Sequence, residues 1–133
     1  MAFYVDTSAL VKLVAAEPET PAFQSWRAQQ HPDLVAGDLV RTELLRAARR
    51  LTPAHVQAAT EVLASVRLTR LGERVFEQAG FLDPPSLRSL DAIHLASALN
   101  LGRDLEGMVT YDSRLAEAAH QNAIPVISPG AGQ

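Results

Sequence analysis

The chain has 133 residues, a formal net charge of −3, 47% hydrophobic residues and no cysteine. A chain of this length and hydrophobicity can bury one core without cross-links, so we expect a single domain over residues 1–133. The lack of cysteine excludes disulfides, thiolate metal sites and cysteine nucleophiles. With no signal-peptide pattern and no apolar run near the ~20 residues of a membrane span, we expect a cytoplasmic protein without a membrane segment.

The amino-terminal half is predicted to alternate strands with helices. A β-rich run at residues 3–5 ends at Asp6 and precedes helical apolar spacing over 8–16. Pro21 costs no hydrogen bond in a first turn, so it indicates a second helix over 20–30. The next predicted elements are a strand at 34–36, a helix over 38–51 capped by Asp38, and a helix over 53–65 that starts at Thr52 and Pro53.

The carboxyl-terminal half continues this alternation. A strand is predicted at 66–71, a short helix at 73–79 and a proline-containing loop at 82–88. Ser89 is predicted to cap a very apolar, buried helix that Gly102 ends. A strand at 108–111, a helix at 113–122 and a strand at 125–127 complete the chain. This order predicts an α/β fold, a three-layer α/β/α sandwich with a central, mainly parallel sheet.

Four carboxylates follow apolar runs or lie on apolar helices, where acids are normally avoided: Asp6, Glu43, Asp91 and Asp112. Asp6 and Asp112 each end a predicted parallel strand, at the sheet edge where ligands bind. Each acid also has an ordinary explanation. An aspartate caps helices or sits favourably in a first turn, and Glu43 could face solvent beside an arginine at helical spacing.

Convergence of these four acids would require compensation of their charge. Two carboxylates about 4 Å apart repel by roughly 4 kcal/mol at an effective dielectric of about 20. Some must then be protonated or share a hard cation, and an all-oxygen donor set favours Mg²⁺ or Mn²⁺. Such a site without a strong nucleophile is typical of metal-dependent phosphodiester hydrolysis. His94, one turn after Asp91, either contacts this site or is a hydrogen-bonded, partly buried residue, and we favour the second interpretation.

Eleven of the twelve basic residues are arginines, and Arg46, Arg49 and Arg50 share one predicted helix. The guanidinium fork matches phosphate geometry, which makes these side chains candidate contacts for an RNA backbone. An arginine-biased composition and an ordinary solvated helix face explain them equally well.

Four segments together resemble the PIN-domain ribonucleases, and most closely the VapC-type toxins of toxin–antitoxin pairs: YVDTSALVKL, TELLRAARR, SLDAIHLASAL, and TYDSRLAEAA followed by IPVIS. The resemblance covers essentially the whole chain and implies the PIN-like fold. It implies a Mg²⁺- or Mn²⁺-dependent endoribonuclease with the acids Asp6, Glu43, Asp91 and Asp112. Asp6 and Asp91 are the firmest metal ligands on this basis, and the expected products carry a 5′-phosphate and a 3′-hydroxyl.

The resemblance also implies supporting residues and partners. Hydroxyl residues accompany the acids in this family, which points to Thr7, Ser8, Thr110 and Ser113. Gly37 and Asp38 stand where the family often has a serine, so Asp38 is a candidate helper for Glu43. The implied partners are an RNA substrate, a VapB-like antitoxin and a second copy of the chain, with Phe23 and Trp26 expected at an interface. A non-catalytic RNA-binding or scaffolding module and a DNA- or structure-specific nuclease are the alternatives.

Overall fold

The structure, a computed structural model, describes residues 2–132. Its centre is a five-stranded sheet with the order β3–β2–β1–β4–β5, and every adjacent pair of strands is parallel. The strands are β1 (Ala2–Val5), β2 (Asp33–Gly37), β3 (Arg67–Thr69), β4 (Leu105–Val109) and β5 (Val126–Ile127). The α/β fold with a parallel central sheet, predicted from the sequence, is confirmed.

Helices cover both faces of this sheet. They are α1 (Thr7–Val14), α2 (Thr20–Gln30), α3 (Leu39–Arg49), α4 (Pro53–Ser65), α5 (Glu73–Gly80), α6 (Ser89–Leu99) and α7 (Ser113–Gln121), with a short 3₁₀ helix at Gly102–Asp104. One buried cluster joins the sheet to α1–α4, and two further clusters involve α5, α6 and α7. The three-layer arrangement is therefore also confirmed.

Strand β1 shows how the two cores form. Side chains alternate between the faces of a strand, so Val5 packs into the cluster with α1–α4 while Tyr4 packs on the opposite face with α6 and α7. The chain adds β2 and β3 on one side of β1 and then crosses to place β4 on the other side. The switch in strand order thus lies between β1 and β4, where an open α/β sheet forms its ligand-binding crevice.

Several predicted boundaries and caps differ from the structure. β4 begins at Leu105 rather than at residue 108, since Glu106 and Gly107 interrupt the apolar pattern but the strand continues to pair with β1 through a register shift at Glu106. Asp38 occupies the N-cap position of α3, but its backbone is helical and its side chain binds Arg41 instead of capping. Ser89 is the first residue of α6, and Arg88 precedes it without a side-chain cap.

The expectation that Phe23 belongs to an interface is wrong. Its side chain is 0% exposed and lies in the core against α1 and the sheet. Trp26 is partly buried and packs edge-on against Phe3 at 5.0 Å between ring centroids. The exposed large apolar side chains lie elsewhere, at Leu51, Phe76, Phe81 and Leu90. Across residues 2–132, no helix combines the length and apolarity needed to cross a bilayer.

Candidate active site

The predicted acids come from elements that end or begin at one edge of the sheet. Asp6 directly follows β1, and Asp112 follows β4 after two residues. Glu43 lies on α3, which begins after β2, and Asp91 lies in the first turn of α6. Because the strands are parallel, the carboxyl ends of β1, β2 and β4 share this edge, and Asp6 stands at the switch in strand order.

Asp6 is buried, with 4% of its surface exposed, and its carboxylate is held by hydroxyl groups. The Ser8 hydroxyl lies 2.7 Å from Oδ1 and 2.9 Å from Oδ2, and Thr110 Oγ1 donates to Oδ2 at 2.8 Å. The Ala9 amide donates to Oδ1 at 3.1 Å, which makes Asp6 the N-cap of α1. Burial raises the pKa of Asp6, and these hydrogen bonds oppose that rise only in part.

The same hydroxyls connect Asp6 to the segment of Asp112. Thr110 Oγ1 accepts a hydrogen bond from the Asp112 amide at 3.1 Å, and the Ser8 hydroxyl accepts one from the Tyr111 amide at 2.9 Å. The Asp112 carboxylate caps α7, with Oδ1 accepting from the Arg114 amide at 2.9 Å. The carboxyl ends of β1 and β4 are therefore held in register by side chains as well as by the strand ladder.

Glu43 is half-buried and its Oε1 atom accepts two hydrogen bonds. Thr7 Oγ1 donates to it at 2.6 Å, and His94 Nε2 lies 2.8 Å away. Burial acts to raise the pKa of Glu43, but the bonds from His94 and Thr7 outweigh it and lower the pKa below its ordinary value. Glu43 is thus held as a carboxylate within the site.

Asp91 experiences the charge of the other acids. Burial raises its pKa first, the charge of Asp112 raises it further, and Glu43 adds a smaller effect in the same direction. Asp91 and Ser113 both line a cleft of about 500 Å³ between α6 and α7. Hydroxyl groups thus bond the carboxylates of Asp6 and Glu43 and the backbone amide of Asp112, whereas Asp91 is related to the other acids by its electrostatic interactions alone.

Other predicted residues lie outside this arrangement. Arg46 and Arg49 are exposed on the part of α3 that follows Glu43, Arg50 is the exposed C-cap of that helix, and Asp38 forms an exposed pair with Arg41. Within residues 2–132, no lysine or arginine side chain forms an ion pair with any of the four acids, and Glu43 has only His94 as such a partner. No direct Lys or Arg ion pair among residues 2–132 therefore neutralises these acids, although the charges of His94 and Arg88 act to lower the pKa of Asp91.

The site offers the oxygen donors that a hard divalent cation prefers, but it is not a preformed set of metal ligands. In the described part of the chain, no three histidine or acidic side chains stand close enough together to hold a metal ion. Mg²⁺ does not require such a cage, since it retains several waters and is often held by one or two carboxylates and by substrate phosphates. The uncompensated oxygen donors at this edge fit that mode of binding.

Tyr4 is a site residue that the sequence did not predict. It lies within an apolar strand, and its hydroxyl contacts His94 Nδ1 at 2.8 Å on the far side of the ring from Glu43. His94 is buried and hydrogen-bonded, but it also contacts the site directly through Glu43, so our preference for the hydrogen-bonded interpretation alone was wrong. The alternation of β1 places Tyr4 on the face of α6, which is the one sequence signal that could have indicated this contact.

Comparison with known proteins agrees with this geometry. Residues 3–121 match the family model of the PIN domain. Ribonuclease VapC46 of Mycobacterium tuberculosis is 42% identical over 128 residues, which cover 96% of this chain and 98% of VapC46.

Two solved structures share the fold. Mycobacterium tuberculosis VapC20, described as a Sarcin-Ricin loop cleaving toxin, superposes with a TM-score of 0.71 at 19% identity, covering 88% of this chain and 95% of its own. VapBC2 from Rickettsia felis, in a structure bound to a DNA fragment from its promoter, gives a TM-score of 0.74 at 11% identity. The match covers 97% of this chain and 99% of the other chain. The chain belongs to the PIN-domain family, among its VapC-type ribonuclease toxins.

Proposed function

We propose that this protein is a Mg²⁺- or Mn²⁺-dependent endoribonuclease and the toxin of a VapBC-like toxin–antitoxin pair. The observation that carries the proposal is the buried Asp6 carboxylate at the switch in strand order, which accepts from the Thr110 hydroxyl while that hydroxyl accepts from the Asp112 backbone amide. No lysine or arginine among residues 2–132 pairs with these acids, so their charge is available to a cation. The ribonuclease names of the relatives support RNA as the substrate.

The resemblance to the family divides the four acids into two pairs. Asp6 and Asp91 would hold the cation directly, and Glu43 and Asp112 would complete the shell directly or through water. The cation supplies Lewis acidity that activates water for in-line attack on phosphorus and offsets charge on the phosphate. With the 3′ oxygen as the leaving group, as the family resemblance implies, this hydrolysis would leave a 5′-phosphate and a 3′-hydroxyl.

The hydroxyl residues orient the acids. Ser8 and Thr110 fix the Asp6 carboxylate from two sides, and Thr7 holds one oxygen of Glu43. Ser113 begins α7 next to Asp112 and lines the same cleft as Asp91, where it can contact the substrate or its water. This support matters because carboxylates on short strand-to-helix turns act only if their rotamers are held.

RNA, antitoxin and a second copy of the chain are the partners we propose. Arg46, Arg49 and Arg50 extend along α3 from Glu43 and would follow the RNA backbone. A VapB-like antitoxin is supported by the likeness to VapBC2, which is itself a toxin–antitoxin assembly. The exposed Phe76, Phe81 and Leu90, rather than Phe23, supply apolar surface for the antitoxin or a homodimer. We place this activity in the cytoplasm, where RNA and antitoxin are made.

RNA cleavage by the purified chain tests this proposal. End-labelled RNA and single-stranded DNA of the same sequence are incubated with the chain and Mg²⁺ or Mn²⁺, with EDTA as the metal-free arm. We expect RNA cleavage that EDTA abolishes, and sequencing of the new ends should show the 5′-phosphate. Asp6→Asn and Asp91→Asn should lose activity because each removes a negative oxygen donor.

Asp104→Asn is the matched control, since Asp104 is an exposed acid just before β4 at the opposite edge of the sheet. It should cleave like the unaltered chain. Full metal-dependent cleavage by Asp91→Asn would exclude the role given to that residue. Preferential cleavage of DNA would favour a DNA nuclease, and Mn²⁺ binding without cleavage of either substrate would favour a non-catalytic module.

A further inference from the structure

A buried chain of hydrogen bonds runs from the backbone of β2 to Glu43. The Gly37 amide donates to the Tyr4 hydroxyl at 3.2 Å, and that hydroxyl lies 2.8 Å from His94 Nδ1. His94 Nε2 lies 2.8 Å from Glu43 Oε1, the atom that also accepts from Thr7. Tyr4 is 1% exposed and His94 is 4% exposed, so water does not compete for the bond between them, while the Glu43 end of the chain is half-buried.

The partners assign the direction of each bond. A carboxylate only accepts, so His94 Nε2 carries the hydrogen that points to Glu43. In the neutral ring Nδ1 is then an acceptor, and the Tyr4 hydroxyl supplies its proton there. A phenol ordinarily remains protonated at neutral pH, so Tyr4 can supply this proton. Tyr4 therefore selects the His94 tautomer that donates to Glu43.

This arrangement determines which atoms of His94 and Glu43 take part in hydrogen bonds. Both ring nitrogens of His94 are occupied, which excludes it as a ligand or a proton acceptor for substrate while these bonds last. Both hydrogen bonds to Glu43 recorded among residues 2–132 end on Oε1. The two bonds from Thr7 and His94 restrict the rotation of the Glu43 carboxylate, and Oε2 is its second oxygen atom.

The residues packed around Gly37 leave room for the hydrogen bond from its amide to Tyr4 only because residue 37 has no side chain. A Cβ atom at residue 37 would lie 2.8 Å from Ser97 Oγ and 3.3 Å from the Tyr4 hydroxyl. The Cβ would also lie 2.9 Å from Leu71 Cδ2, so a side chain there would crowd three neighbouring side chains. Gly37 therefore provides the space in which its own amide can reach Tyr4.

We propose that Tyr4 and His94 are positioning residues that act through Glu43, holding Oε1 so that Oε2 is oriented toward a divalent cation. This inference rests on the proposed function, because it assigns Glu43 to the cation. Groups of this kind orient the ligands of a metal and typically change metal affinity about 10- to 100-fold when removed. Neither residue contacts substrate in this role.

Mn²⁺ binding to the full chain without RNA tests the inference. The dissociation constant is measured by the electron paramagnetic resonance signal of free Mn²⁺, alongside thermal unfolding of the metal-free chain. Tyr4→Phe and His94→Leu should weaken Mn²⁺ binding about 10-fold or more. His94→Gln should restore most of the affinity, because the glutamine amide can donate to Glu43 from nearly the position of Nε2.

Tyr111→Phe is the matched control for Tyr4→Phe. It also removes one phenol that donates a hydrogen bond, in this case to the Pro129 carbonyl at 2.7 Å, but it leaves Glu43 untouched. Mn²⁺ affinities of Tyr4→Phe and His94→Leu equal to that of Tyr111→Phe would overturn the inference. If His94→Leu does not fold, equal affinities for Tyr4→Phe, His94→Gln and the unaltered chain overturn it instead.

The experiment separates this inference from the proposed function. An unaltered chain that binds Mn²⁺ and an Asp91→Asn variant that does not would uphold the proposed cation site, whatever the Tyr4 and His94 variants show. Absence of Mn²⁺ binding by the unaltered chain would overturn the cation site and the inference with it.

Discussion

Thr110→Val should destabilise the protein in a manner that depends on pH. Thr110 is fully buried, and its hydroxyl donates to Asp6 Oδ2 at 2.8 Å while accepting from the Asp112 amide at 3.1 Å. Valine has nearly the same shape, so the change removes the hydroxyl without opening a cavity. The cost is therefore a loss of hydrogen bonding to the Asp6 carboxyl and to one backbone amide.

The magnitude follows from the charge of the acceptor. A hydrogen bond to an ionised group is worth about 1.5–3 kcal/mol, against about 0.5–1.5 kcal/mol for a neutral one. Asp112 is partly exposed, so water can replace the bond to its amide. We therefore expect a loss of about 2–3 kcal/mol where Asp6 is ionised and about 1 kcal/mol where it is protonated.

The sign of the pH dependence follows from the raised pKa of Asp6. The folded state keeps the Asp6 proton to higher pH than the unfolded chain does, so the contribution of this group to stability falls as pH rises from the ordinary Asp pKa through the raised one. The Thr110 hydroxyl lowers the pKa of Asp6, and its removal raises that pKa further. The destabilisation should be smallest below this window and largest above it.

Urea unfolding at about pH 4 and about pH 8 measures the effect, with free energies from linear extrapolation at a constant m value. Thr20→Val is the matched control. The Thr20 hydroxyl is also buried but donates to the neutral Lys12 carbonyl at 2.7 Å and accepts from the Glu17 amide at 3.0 Å. Its loss should be similar at both pH values. A Thr110→Val loss that is equal at both, or no larger than that of Thr20→Val at the higher pH, would refute the reasoning.

Three further outcomes are expected. Asp6→Asn should raise the metal-free stability at neutral pH by about 0.5–2 kcal/mol, because it removes a desolvated charge, and calorimetry showing a lower melting temperature would contradict this. Gly37→Ala should cost about 1–3 kcal/mol in urea unfolding by crowding Ser97 and Tyr4, whereas Gly80→Ala, which meets nothing within 4 Å, should not destabilise. Arg46→Ala should reduce the slope of log affinity for single-stranded RNA against log salt by about 0.7 per lost phosphate contact, and Arg103→Ala at the opposite edge should not.

The sequence was a good guide to the elements whose signals are local. Helices α2 and α4 begin at threonine and proline where predicted, because proline at a first turn is favourable in almost any context. Caps were predicted less well. Asp38 and Ser89 have residue types that favour capping, but the backbone of Asp38 is already helical and Ser89 lies inside its helix. Residue type alone does not determine which side of a helix boundary a residue occupies.

The candidate site shows the same limit at longer range. The positions of Asp6 and Asp112 after parallel strands are local features, and they place both acids at one edge of the sheet. Tyr4 and His94 are 90 residues apart, and their contact depends on how α6 packs on the sheet. The alternation of β1 indicates which face of the sheet Tyr4 occupies, but no periodicity or spacing identifies His94 as its partner, so the support of Glu43 could not be predicted from the sequence.

Helix capping and the proposed cation binding place compatible demands on Asp6 and Asp112. From the sequence, capping stood as the alternative to a functional role. In the structure each acid caps its helix through Oδ1. The hydrogen bond that the Ala9 backbone amide donates to Asp6 helps to lower the pKa of Asp6 against the effect of burial. Capping therefore holds each carboxylate rigidly at a strand-to-helix turn and reduces the cost of keeping it charged there. An acid that had to serve as a metal ligand at this edge would gain orientation and ionisation from the cap.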